Sequence, residues 1–349
     1  MFPYWLLFGF FASGALLATG RSAVEAERTS RPLLLLGGLL VALMIGLRFQ
    51  VGADWESYRQ MFAWTGYVRL ERVLNFGDPG YQLLNWTVQQ VGGGLWLVNL
   101  VAAAVFAWGL VRFAQAQSDP WLAMVVAVPY LIIVVGMGYT RQAMALGVLM
   151  AGLASVIRGG SVLRFAVYAL VAAVFHRTAI AVLPLVIFAA ERNRLLNLIA
   201  GTACFILLYD LMLAPAVEGF VRNYIEAEYS SQGAAIRIAM SVIPAVLFLL
   251  RPSAFGFSPR ERRMWRLFSF AAIACLVLLF VLPSSTAVDR LALYLLPLQV
   301  AVFARATSVF TTQGFGRALV VLYALAVQFV WLNFATHAQY WVPYRLYPL

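Results

Sequence analysis

Apolar residues run through this chain in long blocks, and the breaks between the blocks carry its chemistry. The runs fall at about 2–19, 32–47, 94–111, 121–138, 142–157, 163–175, 178–190, 196–213, 237–250, 267–282, 291–304 and 318–335. A straight helical span needs about 20 such residues. Several runs are shorter, so either their ends extend into polar flanks or they are re-entrant half-helices. The pair 163–175 and 178–190 is the clearest case. Arginine-bearing loops flank it on both sides, so it should leave and return to one face as a hairpin with His176-Arg177 at its tip. The pattern predicts an all-α, polytopic integral membrane protein of about 10–12 transmembrane or re-entrant helices. It forms one membrane-embedded domain over 1–349, with an amphipathic outer-face segment at 48–93 and an outer loop at 214–236 that can cover a site.

Composition removes the soluble alternatives. The chain is 63% hydrophobic and 11% charged, with a mean hydropathy of +0.85. Soluble domains are nearer half apolar and a quarter charged. No glycine-rich nucleotide motif follows a strand pattern, which argues against nucleotide-fuelled chemistry. Run 2–19 lacks a basic leader and a small-residue cleavage site, so it reads as a retained helix. Cys204 and Cys275 lie inside apolar runs and read as small hydrophobes. Two histidines are too few for a multi-histidine zinc site. No metal or other cofactor is expected.

The charge sets the orientation. All 25 basic side chains are arginine, and the net charge is +11. Stretches 20–31, 112–120, 158–164, 191–197, 251–266 and 305–317 hold fifteen arginines against five acids, and the intervening stretches hold ten against nine. The first set should be cytoplasmic and both termini outside. The positive charge is therefore a topology signal and gives no reason to expect nucleic acid.

This orientation puts every polar island on the outer side. In 48–58, Asp54 and Tyr58 share a helix face after Arg48. Arg48 reads equally as a phosphate ligand or as a snorkelling interfacial arginine. Asp78-Pro79-Gly80-Tyr81 opens a helix, and capping alone would account for Asp78. Arg141-Gln142 sits at a turn where an arginine either bonds exposed carbonyls or holds an anion at a helix N-terminus. His176, with Arg177 and Thr178, is either a satisfied core histidine or a proton acceptor. Asp289-Arg290, one turn before Tyr294, reads as a ligand group or a self-satisfied ion pair. Arg237 begins a helix after the outer loop, and Tyr344 lies near the C-terminus. Ionisable groups next to lipid are expensive, about 2.5 kcal/mol or more at a helix centre, so their convergence on one face points to a wet internal site.

In this order the islands resemble the EpsG family, a branch of the Wzy-like polysaccharide polymerases. The matching motifs are Arg48…Val51-Gly52-Ala53-Asp54…Tyr58, Asp78-Pro79-Gly80-Tyr81, Arg141-Gln142-Ala143-Met144-Ala145, Phe175-His176-Arg177-Thr178-Ala179 and Arg290…Tyr294, with Pro343-Tyr344 at the end. Ala53 stands where the family often has threonine, and Asp78 where it usually has glutamate. The resemblance implies a GT-C-like membrane glycosyltransferase of exopolysaccharide or capsule assembly in the bacterial cytoplasmic membrane. Its donor would be an oligosaccharide on undecaprenyl diphosphate, presented at the outer face. Its implied partners are membrane lipid and the flippase and chain-length regulator of the same pathway.

The residues suit that chemistry. Without a nucleotide fold, the donor must arrive already activated, and breaking its anomeric C–O bond leaves negative charge on the diphosphate. Arg141, Arg290 and Arg48 are the candidates to stabilise it, with Arg237 in reserve; His176 and Asp54 are candidates to take or orient the acceptor proton. Tyr58, Asp78, Tyr81, Gln142, Arg177, Asp289, Tyr294 and Tyr344 would line the substrate. Two other classes remain open. A transporter or flippase would often show inverted repeats and charge on both faces. A membrane O-acyltransferase would also use one histidine and several arginines.

Overall fold

The computed structural model describes residues 1–17, 23–189, 233–282, 285–310 and 312–348, together with Ile199, Thr202 and Ile206. Most of run 196–213 and most of loop 214–236 lie outside the described residues. In chain order the helices are α1 (Phe2–Leu17), α2 (Ala23–Gly46), α3 (Trp55–Thr65), α4 (Leu70–Leu74), α5 (Pro79–Gln90), α6 (Leu95–Ala114), α7 (Pro120–Ala127), α8 (Thr140–Ile157), α9 (Val162–Phe175), α10 (Leu183–Phe188), α11 (Ala234–Leu250), α12 (Pro259–Val281), α13 (Ser285–Ala292), α14 (Leu296–Phe303) and α15 (Gln313–Phe334). No strand occurs among the described residues; one isolated antiparallel bridge joins Arg48 to Leu346. Among the described residues, five helical stretches are long and apolar enough to cross a bilayer, and six shorter apolar ones accompany them. The protein is an all-α polytopic membrane protein.

Helix α8 is the axis of the packing. It lies between α6 and α9, and α2 packs on α6. Of its span, 83% is buried within the protein, against 28% for α12 and 33% for α15. A polar side chain at the end of α8 is therefore surrounded by protein, not lipid. Glycines allow this close approach, the usual device where no hydrophobic effect drives helices together. A Cβ on Gly109 of α6 would overlap the Gly147 carbonyl of α8, one on Gly147 would lie 2.5 Å from Phe106 Cα, and one on Gly46 of α2 would lie 2.6 Å from Leu100 Cα. Gly109→Val and Gly147→Val should each force α6 and α8 apart, at about 1–3 kcal/mol or more. The expected result is a lowered Tm in detergent for both variants. Gly9→Val, at a position with nothing within 4 Å, should leave Tm unchanged.

The hairpin expected around His176 is present. Helix α9 has 14 residues, which spans about 21 Å. His176 then takes an extended conformation, and Arg177–Val182 forms a 3-10 turn that leads into α10. The six residues of the turn and the six of α10 also span about 21 Å, so the return leg matches the outward one. Helix α7 widens into a π-helical stretch, Val128–Gly136, directly before Tyr139-Thr140-Arg141. Such stretches frequently occur at functional sites.

Polar contacts gather at the two ends of the bundle. At one end Arg305 Nη2 donates to Glu261 Oε1 (2.8 Å), Arg317 Nε to Asp119 Oδ2 (3.0 Å) and Arg260 Nη2 to the Gly160 carbonyl (2.6 Å). These bonds tie together four of the arginine-rich stretches. At the other end the C-terminal segment folds back onto the start of 48–58. The Phe49 N–H donates to Arg345 O (2.9 Å), the Gly52 N–H to Tyr340 O (2.8 Å) and the Tyr347 N–H to Leu47 O (2.7 Å). Gly52 has φ +106°, and a Cβ there would sit 2.6 Å from Met137 O, so the turn requires glycine. Every polar island lies at this second end.

Candidate active site

Asp78 is the centre of the site. Its Oδ2 accepts from Arg141 Nη1 at 2.7 Å and lies 3.1 Å from His176 Nδ1, and its Oδ1 accepts the Arg177 backbone N–H at 3.1 Å. The aspartate is 5% exposed. Capping, the plain reading of an aspartate before Pro79, is overturned: the carboxylate makes no capping bond to its own helix. Gly80 brings α5 against the end of α9, because a Cβ there would meet Val174 Cγ1 at 2.6 Å. Three motifs distant in sequence thus meet on one carboxylate.

The hub fixes which ring nitrogen of the histidine faces the carboxylate. An ionised carboxylate can only accept, so Nδ1 of His176 carries the proton it shares with Asp78. Nε2 is then the basic nitrogen, and it has no partner among the described residues. The side chain of His176 is 21% exposed and that of Arg141 31%, so both reach the open side of the hub. Arg177 closes the rim, donating from Nη2 to the Gly77 carbonyl at 2.7 Å.

A second cluster adjoins the first. Arg290 places Cζ 4.2 Å from the centre of the Tyr139 ring and Nη2 3.5 Å from Asp54 Oδ2. Asp289 points elsewhere, to Arg237, in a two-pronged pair: Nε to Oδ1 at 2.9 Å and Nη2 to Oδ2 at 2.7 Å. The reading of Asp289-Arg290 as a self-satisfied pair is therefore corrected, since each residue has a different partner. Neighbouring residues stitch the clusters together. Gln142, next to Arg141, donates to the Arg290 carbonyl at 2.6 Å, and Thr178, next to Arg177, lies 3.2 Å from the Tyr294 hydroxyl. The Arg141 N–H reaches the Tyr58 hydroxyl at 3.5 Å, and Tyr58 packs edge-on against Tyr81.

Three expected ligand residues hold structure instead. Arg48 is 1% exposed. Its guanidinium donates to Ile45 O (2.6 Å), Val51 O (3.2 Å), Thr140 Oγ1 (2.7 Å) and Asn99 Oδ1 (3.3 Å), which joins α2, α6 and α8 beneath the site. Fully engaged and enclosed, it cannot hold a diphosphate in this conformation. Arg237 is committed to Asp289, and breaking such an enclosed pair costs about 3–5 kcal/mol. Tyr344 donates to Met44 O at 2.8 Å and packs edge-on against Tyr4, so it anchors the C-terminal segment.

Residues 33–346, nearly the whole chain, match the EpsG family. This chain belongs to the EpsG family. EpsG proteins are Wzy-like polysaccharide polymerases, and the multi-pass helical architecture agrees with that general function. No curated protein and no solved structure matches the chain. The segments on which the resemblance rests are those that the fold brings together: Asp78, Arg141 and His176 in one cluster, Asp54, Arg290 and Tyr294 beside it. Reading by residue type missed Thr140 and Asn99 as acceptors for Arg48 and underrated Asp78. An aspartate that meets an arginine and a histidine from distant parts of the chain cannot be told from a helix cap without the tertiary contact.

Burial tends to raise the Asp78 pKa, but the bond to His176, the charges of His176 and Arg141, and the Arg177 N–H outweigh it, leaving the carboxyl below its ordinary 3.8. A depressed acid pKa contributes stability that is fully present above the unfolded value and is lost as pH falls through the folded one. The Tm gap between the native protein and Asp78→Asn should therefore persist down to about pH 5 and narrow only in stronger acid. A gap that already closes between pH 7 and 6 in a thermal-shift titration would contradict the geometry.

Proposed function

We propose that this EpsG protein is a membrane glycosyltransferase that joins oligosaccharide repeat units carried on undecaprenyl diphosphate, at the outer face of the bacterial cytoplasmic membrane. The observation that carries this reading is the Asp78 hub: a histidine with an open Nε2 beside partly exposed arginines, at the end of the bundle opposite the arginine-rich loops. The acceptor hydroxyl attacks the anomeric carbon of the donor. Its oxygen forms the new C–O bond as the bond from that carbon to the diphosphate oxygen breaks. The acceptor proton passes to His176 Nε2, and Asp78 stabilises the imidazolium that forms. The bonding electrons leave on the diphosphate, where Arg141 and Arg290 balance the charge. Arg141, Arg177 and Arg290 lie around Asp78 and Asp54, so the open part of the site carries more positive than negative charge, which suits a diphosphate.

The test is a purified protein in nanodiscs supplied with lipid-linked repeat units alone. Polymerisation gives a ladder of lengthened glycan lipids. Lipid movement without lengthening would indicate a flippase, and a requirement for an acyl donor an acyltransferase; either overturns the proposal. In a deletion strain, single repeat units should accumulate on the lipid. Accumulation of finished chains would indicate a ligase.

A further inference from the structure

A cavity of about 450 Å³ lies at the arginine-rich end of the bundle, away from the Asp78 hub. Its size falls within the range of about 300–1,000 Å³ typical of small-molecule sites. Three separate elements build it. Leu247 comes from the end of α11, Ala306 from the turn after α14, and Leu319 and Tyr323 from α15, with Phe255 also in the lining. The wall is apolar, and it opens where Leu247 and Leu319 are 46% and 45% exposed, on the lipid-facing surface. One lining residue is charged: Arg251, exposed at the end of α11. Its neighbours in this layer are closed pairs, Arg305 with Glu261 and Arg317 with Asp119. The Arg251 guanidinium has no partner among the described residues.

An apolar slot open to the bilayer, with one unmatched cation at its mouth, is complementary to a molecule with an apolar chain and a single negative charge. We infer that this groove binds one anionic phospholipid of the inner leaflet, acyl chain between α11 and α15 and phosphate against Arg251. Basic pockets between helices on the cytoplasmic side commonly hold acidic headgroups. The polyprenyl tail of a donor would fill the slot too, but it carries no charge for Arg251, and its diphosphate would be held at the opposite end. The inference is independent of the polymerase reading, since it needs only the groove and the orientation.

Native mass spectrometry of the purified protein, with added phosphatidylglycerol or phosphatidylcholine of the same chains, tests it. The native chain should retain one phosphatidylglycerol about fivefold better than phosphatidylcholine. Arg251→Gln should remove the preference and leave phosphatidylcholine retention unchanged. Leu319→Trp and Leu247→Trp, which fill the mouth from exposed positions, should reduce retention of both lipids. Equal retention of both lipids by the native chain would overturn the inference. So would phosphatidylglycerol retention unaffected by all three substitutions. Displacement of the bound lipid by undecaprenyl phosphate with equal efficiency in the native chain and Arg251→Gln would assign the groove to the donor's tail and also overturn it.

Discussion

Asp78→Asn is expected to abolish polymer formation while leaving the protein in the membrane. The substitution keeps the shape of the side chain and removes its charge. An amide offers one oxygen where the hub uses two, for Arg141 and His176 on Oδ2 and for the Arg177 N–H on Oδ1. Its NH2 group then faces an N–H donor, and the histidine loses the partner that sets its proton on Nδ1. If Nε2 takes the acceptor proton, losing that arrangement removes general-base catalysis, on the order of 10²–10⁴ in turnover. His176→Ala should show a similar loss, and Asp78→Asn combined with His176→Ala should be little worse than either alone, because the two act as a unit. The measurements are the glycan ladder from nanodiscs and the amount of folded protein recovered from membranes. A normal ladder from Asp78→Asn would sink the proposed role of the hub.

Arg290→Ala should lower turnover by about 10²–10³, the usual cost of removing one group aimed at developing negative charge. Arg290 sits over Tyr139 with a contact to Asp54, in the open cluster, whereas Arg237 makes a two-pronged pair with Asp289. The two arginines should therefore separate in experiment. Arg290→Ala should reduce kcat with a near-native Tm. Arg237→Leu should lower Tm and the recovered yield, because it removes the two-pronged pair that Arg237 makes with the enclosed Asp289. Arg290→Lys keeps the charge but loses the planar fork and should fall between native and alanine. A reversed outcome, with Arg290→Ala unfolding the protein and Arg237→Leu only slowing it, would exchange the roles assigned to the two arginines.

The fold was legible because its signals are local. Apolar blocks of near-spanning length marked the helices, and the hairpin around His176 followed from the two arginine-bearing loops that flank it. The site was legible only as a set of islands. Asp78 shows the limit: as Asp before Pro it has the look of a helix cap, and nothing within ten residues of it says otherwise. Arg48 errs in the opposite direction. An arginine ending a membrane helix reads as a ligand or a snorkelling group, yet Asn99 and Thr140 enclose it within the bundle. The glycines at 80, 109 and 147 carry no chemistry, but the distances at which α5, α6, α8 and α9 meet depend on them.

The sequence by itself determined that the chain is a helical membrane protein, which loops are arginine-rich, and which residues carry ionisable or hydrogen-bonding groups. Those properties follow from the free energy of placing each residue in lipid or water, a sum over neighbours along the chain. Pairing was decided by tertiary structure alone. Arg141 and His176 meet on Asp78, Arg237 takes Asp289 from the adjacent Arg290, and Arg290 turns to Tyr139 and Asp54. An arginine meets any carboxylate within reach equally well, so its partner is set by which helix ends the packing brings within about 3 Å, and that information is distributed over the whole fold.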